Sequence, residues 1–282
     1  MGKYLLRRIL QMIPVVLGTT LLVYALVFAL PGDPVKAMFG DKPVNHAVEM
    51  QIRAEYNLDK PFIIQYLLFL KNALTLDFGQ TFSGQSVLGE ITSAFPVTIR
   101  LGLMAFVFEA IFGVVFGVIA GLKKGKWYDS LILIVSLLLI SVPTFVTGFL
   151  GQYFLGVKWR ILPVTAGADP GFFDLLMPAM VLGSVSMAYI IRLSRSEISS
   201  NISEDYVRTA RAKGMSNKSV MLRHVLRNSM IPVVTYLGQD LGALMGGAMI
   251  TEQIFNIHGV GFLTYQSILK GEATSWSPSS RC

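Results

Sequence analysis

The sequence predicts an all-α fold, a polytopic bundle of membrane-spanning helices. Three observations carry that prediction. Apolar residues fill 53% of the 282 positions and charged residues only 15%, too little charge to clothe a soluble domain of this size. The apolar residues come in long runs, without the period of roughly 2 or roughly 3.6 that marks a one-sided surface element. Five of those runs are long enough to cross a bilayer, which takes about 20 residues of helix.

The five stretches are Ile9–Leu30, Thr98–Leu122, Leu131–Val157, Phe172–Leu193 and Ser229–Ile250. The first follows Lys3, Arg7 and Arg8, as a signal peptide would. Its apolar part is too long for one, and Leu30-Pro31-Gly32-Asp33-Pro34 lacks a small-residue cleavage pattern, so it reads as a retained anchor. Phe62–Leu76 is apolar but too short, and Gln65, Lys71 and Asn72 interrupt it; an amphipathic helix of the outer segment is expected there. Pro14, Pro143, Pro178 and Pro232 lie inside or at the ends of spans, where kinks are tolerated. Gly113 with Gly117, and Gly238 with Gly242, form GxxxG pairs, for which close packing within the bundle is preferred over a dedicated dimer face.

Charge sets the orientation. Lys3, Arg7 and Arg8 precede the first span, and Lys123, Lys124 and Lys126 against Asp129 fill the second connection. The fourth connection carries Arg192, Arg195, Arg208, Arg211, Lys213, Lys218, Arg223 and Arg227 against Glu197, Glu204 and Asp205. These segments alternate with the others, and basic loops stay inside, so the N-terminus is expected in the cytoplasm and residues 31–97 outside. The formal charge of +7 is therefore read as membrane orientation, since the cations lie between apolar runs without a nucleic-acid module. The single cysteine, Cys282, excludes a disulfide framework, and His46, His224 and His258 are too scattered to suggest a metal site.

The fourth connection holds Ser203-Glu204-Asp205-Tyr206-Val207-Arg208-Thr209-Ala210-Arg211-Ala212-Lys213-Gly214-Met215-Ser216. Ser203 is expected to cap a short helix of about ten residues, with Glu204 and Asp205 favourable in its first turn. Lys213 falls near its end, and Gly214 supplies a left-handed stop. Tyr206, Val207 and Ala210 share one face, while Arg208 and Arg211 point elsewhere. Apolar side chains turned to the cytosol are expected to need a partner; a second helical stretch, Lys218–Asn228, leads back to the last span.

This loop resembles the EAA loop of binding-protein-dependent ABC importer permeases, whose coupling helix docks into a cleft on the ATPase subunit. The match is to the peptide-importer branch, through Asp205 to Gly214 and His224-Val225-Leu226-Arg227-Asn228 with Pro232. Two positions that would be Glu and Ala in the general pattern are Arg208 and Thr209, followed by Ala210. The resemblance runs along nearly the whole chain. It takes in Tyr4-Leu5-Leu6-Arg7-Arg8 with Ile13-Pro14, Pro31-Gly32-Asp33-Pro34, and Tyr56-Asn57-Leu58-Asp59-Lys60-Pro61 with Gln65-Tyr66. Leu76-Asp77-Phe78-Gly79 and Glu252-Gln253-Ile254-Phe255 with Gly259 and Gly261 complete it; His258 stands where such permeases usually have Pro.

The resemblance implies a type I ABC importer permease that moves di- or oligopeptides across the cytoplasmic membrane, by alternating access driven from outside the chain. The implied partners are a second, different permease chain, two cytoplasmic ATPase subunits, an extracytoplasmic substrate-binding protein and membrane lipid, with no nucleic acid. The coupling residues would be Glu204, Asp205, Tyr206, Val207, Arg208, Thr209, Ala210, Arg211, Ala212, Lys213 and Gly214. The chain is expected to be no enzyme and to bind no cofactor, with ATP and Mg on the ATPase subunits. No GxxxxGK[ST] occurs; near Gly125-Lys126, Ala120 and Trp127 break the pattern. The expected organisation is residues 1–30 as the cytoplasmic end and first span, 31–97 extracytoplasmic, 98–250 as permease core with coupling loop 194–228, and 251–282 as an outer turn and C-terminus.

Glu109, Asp240 and neighbouring Gln239 fall inside spans, where charge is expensive and is expected to face the bundle interior or a water-filled cavity. Two readings stay open: they line the substrate path and meet a peptide's amino end, or they bond to neighbouring helices and hold the packing. The alternative function is an ion-coupled secondary transporter, which should show inverted repeats with paired broken helices; none is visible in the sequence. An intramembrane enzyme lacks a nucleophile with its base, a metal motif or paired acids. The family would continue after Gly271-Glu272-Ala273 into a sixth span, and the nine residues Thr274–Cys282 cannot cross a bilayer. A reading-frame shift near Thr274 is the expectation drawn from that tail.

Overall fold

The computed structural model describes residues 2–28, 50, 59–81 and 84–269, and every regular element among them is helical. Most of the outer segment before Asp59 lies outside the described residues, as does the tail after Leu269 with its frame-shift reading. The chain divides into two compact units, residues 1–92 with 266–282, and residues 93–265.

In the first unit α1 (Gly2–Phe28) carries the first predicted span, and α2 (Phe62–Leu74) is the short apolar helix expected in the outer segment. Tyr24 of α1 is buried among Phe62, Tyr66 and Phe69 of α2, with ring centroids 5.6, 5.7 and 5.3 Å away. The Tyr66 hydroxyl donates to the Leu17 carbonyl at 2.8 Å and lies 2.9 Å from Thr20 Oγ1. Aromatic area thus joins the two helices while each phenol finds a polar partner.

The second unit is built on two long helices, α3 (Val87–Leu122) and α6 (Phe172–Asn201). Their contact explains the first glycine pair. A Cβ on Gly117 would stand 2.5 Å from the Ser194 Cβ and 2.9 Å from the Ile191 carbonyl oxygen; one on Gly113 would stand 2.7 Å from Ile190 Cγ2. Gly183 answers from α6, where a Cβ would come 2.8 Å from the Ala105 carbonyl oxygen. Small residues on both sides let the backbones touch, the intrachain packing the sequence suggested. Gly238 and Gly242 differ: nothing lies within 4 Å of a Cβ at either, so the second pair packs against nothing among the described residues.

Two predicted spans need correction. Leu131–Val157 is not one helix: α4 (Trp127–Ser141) stops before Pro143, and α5 (Thr144–Gly151) sets off at 103° to it, running on as a π-helical stretch, Gln152–Lys158. Pro143 provides no N–H to continue α4, and Val142 before it is extended, as a residue preceding proline prefers. The last span also ends early. After the four-residue α8 (Asn217–Val220) and a π-helical stretch (Met221–Leu226), α9 (Arg227–Met245) stops before Ile250, where Gly247 turns the chain at φ +97°. By length and apolarity three described helices could cross a membrane, within α1, α3 and α6, and a fourth if α4 with α5 is one span. Both α4 and α9 pack along α6.

Candidate functional site

The loop after α6 folds into α7 (Asp205–Ala212), eight residues long. Its N-cap is Glu204, not Ser203 as the sequence suggested. The Ser203 hydroxyl is taken by the last turn of α6, donating to the Ser200 carbonyl at 2.9 Å, so the cap moves one residue on. The expected stop is present. Gly214 has φ +82°, its N–H donates to the Arg211 carbonyl at 2.9 Å, and the Met215 N–H reaches the Ala210 carbonyl at 3.3 Å. That pair of bonds is the Schellman closure, and it needs a left-handed residue at Gly214.

The apolar face of α7 has its partner inside the chain, which corrects the expectation that Tyr206 and Val207 seek one in the cytosol. Val207 is fully buried and Ala210 nearly so, in a cluster with Ile198, Val220 and Val225, flanked by Val118, Met215 and Met230. Tyr206 packs beside them and its hydroxyl donates to Asn201 Oδ1 at 2.6 Å. What faces away from the chain is polar and small: Glu204, Asp205, Arg208, Thr209, Arg211, Ala212, Lys213 and Gly214 are all exposed. Arg208 and Asp205 pair at 3.4 Å with both side chains open to solvent, an ion pair that contributes little. The helix is therefore a rib fixed from behind, presenting a charged outer surface.

Behind this rib, Arg195 of α6 grips Asp129 of α4 in a forked pair, with Nη2 to Oδ2 at 2.8 Å. The Gly125 N–H donates to the same Oδ2 at 2.9 Å, and Asp129 is 3% exposed. The sequence offered no signal for this pair, since both residues read as ordinary loop charges.

The three substrate-path residues part company. Gln239 is exposed, on the same open side of α9 as Gly238 and Gly242. Asp240 is half-buried and its Oδ1 accepts from the Ser186 hydroxyl at 3.1 Å. Glu109 is fully buried, against Asp240. Of the three only Gln239 is exposed, and neither carboxyl oxygen of buried Glu109 meets a hydrogen-bond donor among the described residues.

A third buried acid drew no role from the sequence beyond its place in the resemblance. Glu252, in α10 (Met249–Ile254), is fully buried. Its Oε1 accepts from the Thr98 hydroxyl at 3.0 Å and the Ala248 N–H at 3.3 Å; its Oε2 accepts from the Phe262 N–H at 2.7 Å. Thr98 Oγ1 in turn accepts from the Val260 N–H at 2.8 Å, so acid and hydroxyl together cap α11 (Val260–Leu269). A Cβ at Gly259 would stand 2.6 Å from Glu252 Oε2, and one at Gly261 2.7 Å from the Met249 nitrogen. The Gly259-x-Gly261 spacing after Glu252 exists to let the backbone close over that carboxylate. Among the described residues no three His, Cys, Asp or Glu side chains converge as a metal site.

Residues 113–279 match the family described as the binding-protein-dependent transport system inner membrane component, and residues 1–102 match its N-terminal counterpart. The chain is 34% identical over 291 residues to the dipeptide transport system permease protein DppB of Escherichia coli strain K12, covering 93% of this chain and 86% of that protein. It is 37% identical over 269 residues to the glutathione transport system permease protein GsiC of the same strain, covering 95% and 87%. The GsiC of Shigella dysenteriae serotype 1 matches to the same extent. This chain belongs to the family of binding-protein-dependent transport system inner membrane components.

Proposed function

We propose that this chain is the permease subunit of an ATP-driven importer that carries di- or oligopeptides across the cytoplasmic membrane. In this reading a substrate-binding protein delivers peptide outside, and two ATPase subunits holding ATP and Mg dock inside. A second, different permease chain completes the path. The names of the relatives, a dipeptide and a glutathione system, support a peptide-like cargo.

The single observation that carries the coupling role is α7. Its apolar face is spent within the chain, so the helix cannot slide or melt without opening the cluster around Val207. Its exposed face is free to meet a partner. A push on that face passes through Val207 and Ala210 to Ile198 of α6 and Val118 of α3, the rigid-body transmission such a switch requires. Basic segments before α1 and around α7 support a cytoplasmic N-terminus. The open side of α9, where Gly238 and Gly242 leave room beside exposed Ile231, Val234 and Gln239, suits the path or the second permease chain.

Cysteine cross-linking tests the docking. In a Cys282→Ser background, cysteines replacing Thr209 or Arg211 should link to the ATPase subunit in the assembled complex, and one replacing buried Ala210 should not. An intact complex in which Thr209 and Arg211 positions stay unlinked would remove α7 as the docking element.

A further inference from the structure

The foot of α9 carries a groove that the coupling role does not use. Met215, Leu222, Arg223, His224, Arg227 and Asn228 line it, around a volume of about 970 Å³. It is formed by the π-helical stretch Met221–Leu226 and the first residues of α9. Val220 and Val225 are buried in the cluster behind α7, which leaves Leu222, Arg223, Arg227 and Asn228 turned outward and exposed. None of the six lining residues is an acid. Arg195 is answered by Asp129 and Arg208 by Asp205, whereas among the described residues no carboxylate pairs with Arg223 or Arg227.

The groove lies at the level where the membrane begins. Ile231 and Val234 follow Arg227 by four and seven residues on α9, so they share its face, and each is 63% exposed. At the rise of a helix, Ile231 stands only about 6 Å beyond Arg227. At the same end of the bundle, set by the Arg195–Asp129 pair, Trp127 and Tyr128 are exposed at the start of α4, their rings stacked 3.9 Å apart. Exposed apolar side chains just beyond unpaired arginines, with aromatic rings at the same end, mark a headgroup layer.

We propose that this groove binds the phosphodiester of an anionic phospholipid. Arg223 and Arg227, about one turn apart, each offer a planar fork of N–H donors suited to phosphate oxygens. His224 and Asn228 add further donors, and Leu222 and Met215 give the glycerol and first methylenes apolar contact. A zwitterionic lipid fits less well, because its ammonium would stand beside two arginines with no acid to receive it. A lone phosphate would leave most of the space empty, since ligands of many atoms occupy pockets of about 300–1,000 Å³. An acidic surface of the ATPase subunit is the rival occupant, and the closeness of exposed Ile231 favours lipid. The headgroup would reach from Met215, at the closure of α7, to Asn228 in α9, and so brace the rib helix against α9. The assignment is independent of the importer reading and of any cargo.

The test is native mass spectrometry of the purified complete complex, titrated with phosphatidylglycerol or with phosphatidylcholine of the same acyl chains. The wild type should hold phosphatidylglycerol roughly 30-fold more tightly, about fivefold for each arginine at a membrane surface. Arg223→Gln combined with Arg227→Gln should bring the two lipids level. Arg211→Gln, which removes an exposed cation outside the groove, should leave the preference intact. Millimolar inorganic phosphate should not displace the lipid from the wild type, and neither wild-type comparison needs a variant to fold. Equal affinity for both lipids in the wild type, an unchanged preference in the double variant, its loss in Arg211→Gln, or displacement by phosphate would each overturn the assignment. Phosphatidylglycerol that binds only after the ATPase subunits are stripped away would overturn it too, and give the groove to the ATPase. Because the readout is lipid binding, a failure of peptide import would not mimic any of these results.

Discussion

Gly214 closes the rib helix, and its surroundings let the effect of replacing it be worked out. The residue sits at φ +82° with nothing within 4 Å of where a Cβ would stand. An added side chain meets no steric wall, so the penalty is that of the left-handed backbone alone, about 1–2 kcal/mol for an L residue. That corresponds to a loss of roughly 5- to 30-fold in the population of the helix stop. Since the space is open, Gly214→Ala and Gly214→Leu should be nearly equal, and Gly214→Asn milder because Asn visits this region more readily. The bonds from Gly214 and Met215 to the carbonyls of Arg211 and Ala210 would weaken together, and Ala210 would leave its place beside Val207. The assay is ATP-dependent uptake by the reconstituted complex, with co-purification of the ATPase subunits and membrane insertion measured alongside. Insertion should be normal, co-purification reduced and uptake largely lost in the Ala and Leu variants, with most of it kept in the Asn variant. Full uptake with Leu, or a Leu variant far worse than Ala, would refute the argument from the backbone.

Arg195→Ala should destabilise the chain by about 3 kcal/mol, the low end for breaking a buried pair, because Asp129 would keep only the Gly125 N–H; a melting curve within a degree of wild type would contradict this. Gly117→Ala should cost about 1–3 kcal/mol by overpacking α3 against Ser194, whereas Gly238→Ala should leave the stability of the isolated chain unchanged; chemical denaturation compares the two. Topology is checked by labelling in the Cys282→Ser background: a cysteine at Gly84 should react from outside intact cells, and one at Ser216 only after permeabilisation.

Much of this fold was legible because its signals are local. Long apolar runs betray membrane helices, and a glycine after a short charged helix betrays its stop; α7 and Gly214 stand where those signals put them. The breaks at Pro143 and after Met245 were harder, since proline and glycine are tolerated inside spans and hydropathy alone does not distinguish a kink from an end. The partner of Val207 could not be read because Val118, Ile198 and Val225 reach it only through tertiary packing. Glu252 was least legible of all. Thr98, which satisfies it, lies 154 residues earlier, and no spacing rule connects the two. Glu109 and Asp240 were visible as costly charges, yet no local signal showed that Glu109 would be fully buried or that Asp240 would accept from Ser186, 54 residues away.

The most direct test of the central claim is uptake of a labelled dipeptide into proteoliposomes holding the complete complex with its substrate-binding protein. Uptake should require ATP and the binding protein, stop with vanadate, and survive ionophores that collapse ion gradients. Uptake that proceeds without ATP and collapses with the ion gradient would contradict the importer reading and place the chain among ion-coupled transporters.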